Sequence, residues 1–194
     1  KGKRPEGPPS VVFPWAGQVV MRSGYDAGAQ WAFFDIGPWG TGHQHNDKLH
    51  ISITAYGRDL LVDGGRFAYR GALAEKFRRY ATGSASHNVI LIDGKGQDAG
   101  PHIATAQVPE NHFKIDDRFD YAQNAFDKFK GLEGTAEHSR ALFYVRGKFW
   151  VVVDHIRTSQ PRKIETLWHW HPDNIIAEAP GGIVSTAHET GNLK

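Results

Sequence analysis

Leu49, Ile51, Ile53 and Ala55 alternate with His50, Ser52 and Thr54, so an extended backbone here turns one dry face to a core and one polar face away. Similar β-branched and aromatic runs, bounded by Gly, Asp or Pro, recur as GQVVMRS, AQWAFFDIG, RDLLVDGG and the apolar-dense HNVILIDG. In the last third, HSRALFYVRG, KFWVVVDHIRT, KIETLWHWHPD and GIVSTAHE follow one another at a spacing of about ten residues, the rhythm of strand and turn. KLHISITAY and RDLLVDG, joined around Gly57, predict a hairpin, although its turn is not of the Asn-Gly type. Only ALAEKFRRYATGS has helical spacing, with Leu73, Phe77 and Tyr80 on one stripe, and it predicts about three turns at most. From Gly94 to Gly134, IATAQV and DYAQNAF stand in a stretch without a clean period. The fold class that follows is all-β: a large antiparallel, two-layer β-sandwich with at most one or two short helices. Residues 1–15 read as a polar lead-in and 16–194 as the sandwich domain.

Composition narrows the function classes. The 194 residues, 40% hydrophobic and 23% charged, suffice for one sizeable core. No run of about 18 apolar residues exists to span a membrane, and KGKRPEGPPS has no apolar signal-peptide region. The chain is expected to be a piece of a longer one, extended at both ends. With no cysteine it has no disulfide, thiolate metal site or cysteine nucleophile. Its 23 basic and 21 acidic residues are too balanced for a general nucleic-acid binder.

The 11 histidines and 22 glycines direct attention to three segments that place His or Asp among glycines at strand ends: GPWGTGHQHNDK, LLVDGGRF and TGSASHNVILIDG. On an extended backbone an H-x-H pair projects both side chains to one face, so His43 and His45 are expected to converge on one ion or substrate group. Asp63 lies 18 residues beyond His45, and a hairpin pivoting near Gly57 returns it beside the start of the preceding strand. His87 completes a His, Asp, His set suited to Zn²⁺ and open to a fourth water or carboxylate oxygen. From the residues alone, the alternative is that His45 and His87 are buried hydrogen-bonded histidines and Asp63 a turn residue before Gly64-Gly65.

The order of these segments resembles a known family. MRSGYD, then FFDIGPWGTGHQHNDKLHISITAYGRDLLVDGGRFAY, then RRYATGSASHNVILIDGKGQ is similar to the heparinase II/III-like domain of bacterial polysaccharide lyases, which include heparin lyases and related alginate lyases. The resemblance is dense over residues 18–97 and continues more loosely through HSRALFYVRGKFWVVVDHI and LWHWHPD to about residue 173. It implies a C-terminal β-sandwich that packs against an N-terminal α/α toroid, with Zn²⁺ held by His45, Asp63 and His87 and with His43 facing the substrate cleft as a catalytic or binding residue. It also implies β-elimination on a uronic-acid polysaccharide of heparin, heparan sulfate or alginate type, in the periplasm or outside the cell. The toroid, with its share of the acid-base groups, is not in this chain, so the fragment alone is expected to be inactive.

Arg78, Arg79 and Tyr80 are read as a grip on sulfate or carboxylate, with surface charge as the alternative. Asp47 is assigned to orienting an imidazole, or to a turn. For His43 the competing role is orienting His45. Asn88 is expected to bond backbone at a strand start. Trp168 and Trp170 share a strand face and are assigned to the core. Zinc is expected to be structural, pinning three loops. Two other functions stand as alternatives: a zinc hydrolase that uses the same His, Asp, His centre to activate water and leaves no unsaturated product, and a non-catalytic carbohydrate-binding sandwich in which aromatic residues and arginines hold the sugar. Without the toroid, an uncovered apolar sheet face would favour a homo-oligomer.

Overall fold

The computed structural model describes residues 3, 6–38, 40, 42–99 and 104–188. Five strands form a continuous antiparallel meander: β1 (Val11–Phe13), β2 (Gln18–Arg22), β3 (Trp31–Asp35), β4 (Ile51–Ala55) and β5 (Arg58–Leu61), hydrogen-bonded in chain order. The first lies inside the stretch read as a lead-in, because Val11, Val12 and Phe13 are apolar enough to pair with Val20, Val19 and Gln18. The β4–β5 turn is Tyr56-Gly57, both at positive φ (56° and 70°), which gives a tight two-residue hairpin even though Tyr56 must take a left-handed conformation.

The helix α1 (Ala72–Ala81) and a single 3₁₀ turn (Ser84–Ser86) lead to β6 (Ile90–Ile92), and a second 3₁₀ turn (Glu110–His112) precedes β7 (Phe113–Ile115). The second sheet has the order β10-β9-β8-β7, with β8 (Phe119–Phe126), β9 (Ala136–Val145) and β10 (Phe149–Thr158). Two antiparallel pairs remain: β11 (Ile164–Thr166) with β6, and β12 (Asn174–Ala179) with β13 (Ile183–His188). The irregular stretch thus holds one long strand, β8, which covers DYAQNAF; Ile103 of IATAQV lies outside the described residues, and the rest of that segment forms no strand.

Alternation builds the core. Val19, Met21, Ala32, Phe34, Ile51 and Ile53 of the first sheet meet Ala122, Leu142 and Tyr144 of the second, with Leu49, Leu61 and Val108 closing the cluster. On β9 every second residue from Ala136 to Tyr144 is buried, and two of these are polar, His138 and Arg140. The two sheets therefore face each other as a sandwich, as the sequence predicts.

Two surfaces depart from expectation. The stripe that identified α1, Leu73, Phe77 and Tyr80, points outward (63%, 41% and 54% exposed), while Ala74 and Ala81 form its buried side. On the outer face of β10, Phe149, Val151 and Val153 are also exposed, next to Phe143 and Val145 in register on β9.

Candidate functional site

The loop between β3 and β4 is clamped at both ends. At its start Gly37 packs against Gly17, the N–H of Gly37 donates to Asp35 Oδ1 (2.8 Å), and that of Ile36 donates to the Gly17 carbonyl (2.7 Å). At its end Asn46 N–H donates to the Thr82 carbonyl, Ser84 Oγ donates to the Asn46 carbonyl, and Lys48 exchanges two hydrogen bonds with the Gln97 amide. This fixes the loop against the segment that follows α1. The β4–β5 hairpin returns Asp63 to the same place, and the 3₁₀ turn delivers His87.

One ligand atom from each of His45, Asp47, Asp63 and His87 lies within 4.8 Å of all the others. The His45 and His87 ring centroids are 5.1 Å apart, and His87 Nδ1 is 2.8 Å from Asp63 Oδ2. His87 is fully buried, and its Nε2 has no hydrogen-bond partner among the described residues. An orphaned buried imidazole nitrogen beside a second imidazole and two carboxylates is a donor set that fits a four-coordinate divalent cation such as zinc.

The charges point the same way. Burial holds the His45 imidazole below its ordinary pKa, so it is neutral and ready to offer a lone pair. Burial also raises Asp47, although the imidazoles of His87 and His45 oppose the shift. For Asp63 burial acts upward but is outweighed by the hydrogen bond and charge of His87, with His50 and the Gly65 N–H contributing, so the carboxyl sits at about 2. Two carboxylates crowded this closely are relieved by a dication.

Around this set runs a shell of hydrogen bonds. His50 is buried and held to about 3, chiefly by burial; its Nδ1 accepts from the Asn88 N–H (3.0 Å), which leaves Nε2 to face Ser52 Oγ (2.8 Å) and Asp63 Oδ2 (3.5 Å). The Asn88 amide donates to the carbonyls of Ile51 and Val62 and accepts from the His169 N–H, so it ties three segments together through backbone contacts. Arg140, wholly buried, reaches across the sandwich to the carbonyls of Leu49 and Asn88, while Asp154 binds it through both oxygens and also contacts His138.

His43 does not join the cluster. Its backbone is left-handed (φ 59°) rather than extended, so the H-x-H pair diverges instead of sharing a face. Its Nδ1 meets Arg66 Nη1 (2.9 Å) and the Tyr69 hydroxyl (3.0 Å), and the Arg66 guanidinium lies 4.0 Å over the Tyr69 ring. Because a guanidinium only donates, Nδ1 of His43 is the acceptor there. This cluster is exposed, and it adjoins a groove of about 470 Å³ that continues past His45 and Asp47 to Trp15.

Residues 5–193 match the family described as Heparinase II/III-like, C-terminal. The chain belongs to that family. It is 21% identical over 179 residues to a heparin-sulfate lyase of Pedobacter heparinus, covering 91% of this chain and 26% of that protein. It is 24% identical over 189 residues to a heparin-sulfate lyase of Bacteroides stercoris, covering 95% and 27%. Among solved structures, heparan sulfate lyase HepC from Pedobacter heparinus superposes with a TM-score of 0.73 at 21% identity, over 91% of this chain and 26% of that one. A heparinase III gene product gives 0.74 at 20% identity, over 92% and 26%. The fold is shared, and the chain spans about a quarter of the length of these relatives.

Within this heparinase II/III-like sandwich the other expected residues are dispersed. Arg78 donates to the carbonyls of Ala68 and Tyr69, fixing the loop that carries Tyr69, whereas Arg79 and Tyr80 are exposed on α1. Trp168 is a correction: it is 38% exposed beneath the Arg140 guanidinium, because β11 stops at Thr166 and the strand alternation stops with it; Trp170 does pack on the core. Sequence reasoning missed Arg66, Tyr69 and His50, and gave Asp47 a lesser place. The available signals were the continuation of LLVDGGRF into AYR and the acidic residue two positions past His45.

Proposed function

We propose that this chain is the β-sandwich part of a polysaccharide lyase that cleaves a uronic-acid glycan of the heparin or heparan sulfate type by β-elimination. The observation that carries the reading is His43 held between Arg66 and Tyr69, two residues along the chain from His45 of the His and Asp cluster, on the fold of this family. The named relatives support the choice of glycan. The reaction removes the C5 proton, forms the C4–C5 double bond, breaks the bond from C4 to the glycosidic oxygen and protonates that oxygen. A C5 proton beside a carboxylate is too weakly acidic for an unaided side chain, so positive charge must meet the developing aci-carboxylate. Arg66 supplies that charge. His43 and Tyr69, 3.0 Å apart, supply a pair between which a proton can pass. Arg79, exposed on α1, is assigned to a contact with the acidic chain.

His45, Asp47, Asp63 and His87 would hold the zinc ion. When bound, it neutralises their carboxylates and ties three chain segments into one support, a structural task. The remainder of the longer protein, an α/α toroid, is the partner proposed for the exposed stripe of Leu73, Phe77 and Tyr80. A polymeric substrate favours action in the periplasm or outside the cell; no helix of the described residues is long and apolar enough to cross a membrane.

The test is the product. Full-length protein incubated with heparan sulfate is expected to generate ultraviolet absorbance from a carboxylate-conjugated double bond, and His43→Ala or Tyr69→Phe to reduce kcat by about 100-fold or more. Chain cleavage with only saturated ends would replace the lyase with the zinc hydrolase. Glycan binding without cleavage would leave the carbohydrate-binding sandwich.

A further inference from the structure

The strands HSRALFYVRG and KFWVVVDHIRT carry Arg140 and Asp154, two charged residues for which the proposed function has no direct use. Arg140 is wholly buried on β9, where a guanidinium is rarely found unless it is paired. Four of its five N–H groups are taken. Nε and Nη2 donate to the two oxygens of Asp154 on β10 (2.7 and 3.1 Å), and Nη1 donates to the carbonyls of Leu49 (2.9 Å) and Asn88. Both carbonyls belong to the backbone that carries the His and Asp cluster: Asn88 follows His87 directly, and Leu49 lies two residues past Asp47. The His50 N–H donates to the Asp47 carbonyl (2.8 Å), closing a turn whose third residue is Leu49, at φ 74°. A turn of that kind ordinarily has glycine there. Leu49 is held in this conformation by its buried side chain and by bonds on both sides, its N–H to the Asp35 carbonyl (2.7 Å) and its own carbonyl to Arg140. The remaining segment is reached at one remove, since the Asn88 side-chain amide donates to the carbonyl of Val62, next to Asp63 (3.2 Å). One guanidinium nitrogen thus fixes the backbone behind Asp47 against the backbone behind His87.

We propose that Arg140 is a positioning residue for His45, Asp47, Asp63 and His87: anchored on Asp154, it fixes the spacing of the segments that bear Asp47 and His87 and so sets how tightly the cluster binds a divalent cation. Ligands already held at the right separation need less ordering when the ion arrives. This rests on the metal reading of the cluster, but not on the chemistry of cleavage.

The experiment measures the zinc affinity of full-length protein by competition with a chromogenic chelator, together with metal-free thermal melting and the visible absorption of the cobalt-loaded form. Wild type is compared with Asp154→Asn, with Arg140→Met in the Asp154→Asn background, with Arg140→Lys and with Leu142→Ala. The double variant leaves no carboxylate buried without its partner. Leu142, fully buried on the same face of β9, is a control for stability alone. Arg140→Met is expected to weaken zinc binding by about 10- to 100-fold relative to Asp154→Asn and to shift the cobalt bands. Arg140→Lys, which keeps the charge but lacks the planar fork, is expected to lose less, and it supplies the readout if the double variant does not fold. Leu142→Ala is expected to lower the melting temperature and leave zinc affinity and the cobalt bands unchanged. Zinc bound as tightly by the Arg140 variants as by their references overturns the proposal alone, as does an equal loss of affinity in Leu142→Ala, which would mark Arg140 as a packing residue. Wild type that binds no zinc would remove the metal reading and the proposal together.

Discussion

His87 shows how a single residue joins two roles in this site. Its Nδ1 holds Asp63 and its Nε2 has no partner among the described residues, so the neighbouring side chains orient it while leaving it capacity for a ligand. The same economy appears at Asp154, which gathers Arg140 and His138 and through Arg140 steadies the Leu49 and Asn88 carbonyls. Burial acts upward on Asp154, but the hydrogen bonds from His138 and Arg140 outweigh it and hold the carboxyl at about 2. A carboxyl held below its unfolded value of about 3.9 adds stability that is complete above that value and lost as pH falls through the folded one. That linkage is worth about 2 kcal/mol. Asp154→Asn is therefore expected to unfold at markedly lower urea than wild type at pH 6, and the gap should narrow by most of that amount between pH 4 and pH 2. A gap independent of pH would show that the ion pair does not act through its charge. Of the site residues, His45, Asp63 and His87 were legible because each stands among glycines at a strand end. Tyr69 and Arg66 were not, since their place beside His43 depends on left-handed backbone at His43 and Phe67 that no periodicity encodes.

At the level of elements, regular alternation was readable and irregular backbone was not. The strands β4 and β9 follow their period-2 patterns closely, and α1 was found by its spacing, yet its apolar stripe faces outward because Ala74 and Ala81 allow the closer approach to the sandwich. The helix pattern reported periodicity, not which face has a partner. One close contact matters most for the site. Gly17, at φ +66°, lies against Gly37, and a Cβ there would come within 2.0 Å of Gly37 Cα. Since the atoms that Cβ would meet are backbone, the strain cannot be relieved by a rotamer change. Gly17→Ala is expected to destabilise the chain by about 2 kcal/mol or more in urea unfolding and to loosen the loop bearing His43, His45 and Asp47. A neutral substitution would mean that the β1–β2 turn does not brace that loop.

The whole molecule is a sandwich whose core is continuous between its two sheets and whose candidate site lies where three segments distant in sequence meet. Two of its outer surfaces, α1 and β10, expose apolar side chains in rows, and the chain spans about a quarter of its relatives' length. Fold class followed from strand rhythm; the pairing of β6 with β11, more than 70 residues apart, did not, because nothing local encodes a partner so distant. The meeting point is proposed as a metal centre that supports the cleft. Elemental analysis of protein purified without chelators tests it most directly, on wild type and on His45→Ala and Asp63→Ala. Near one equivalent of zinc is expected in wild type, with its loss in both variants and a lower melting temperature for wild type after chelation. Metal-free wild type that regains no stability with added zinc would contradict it.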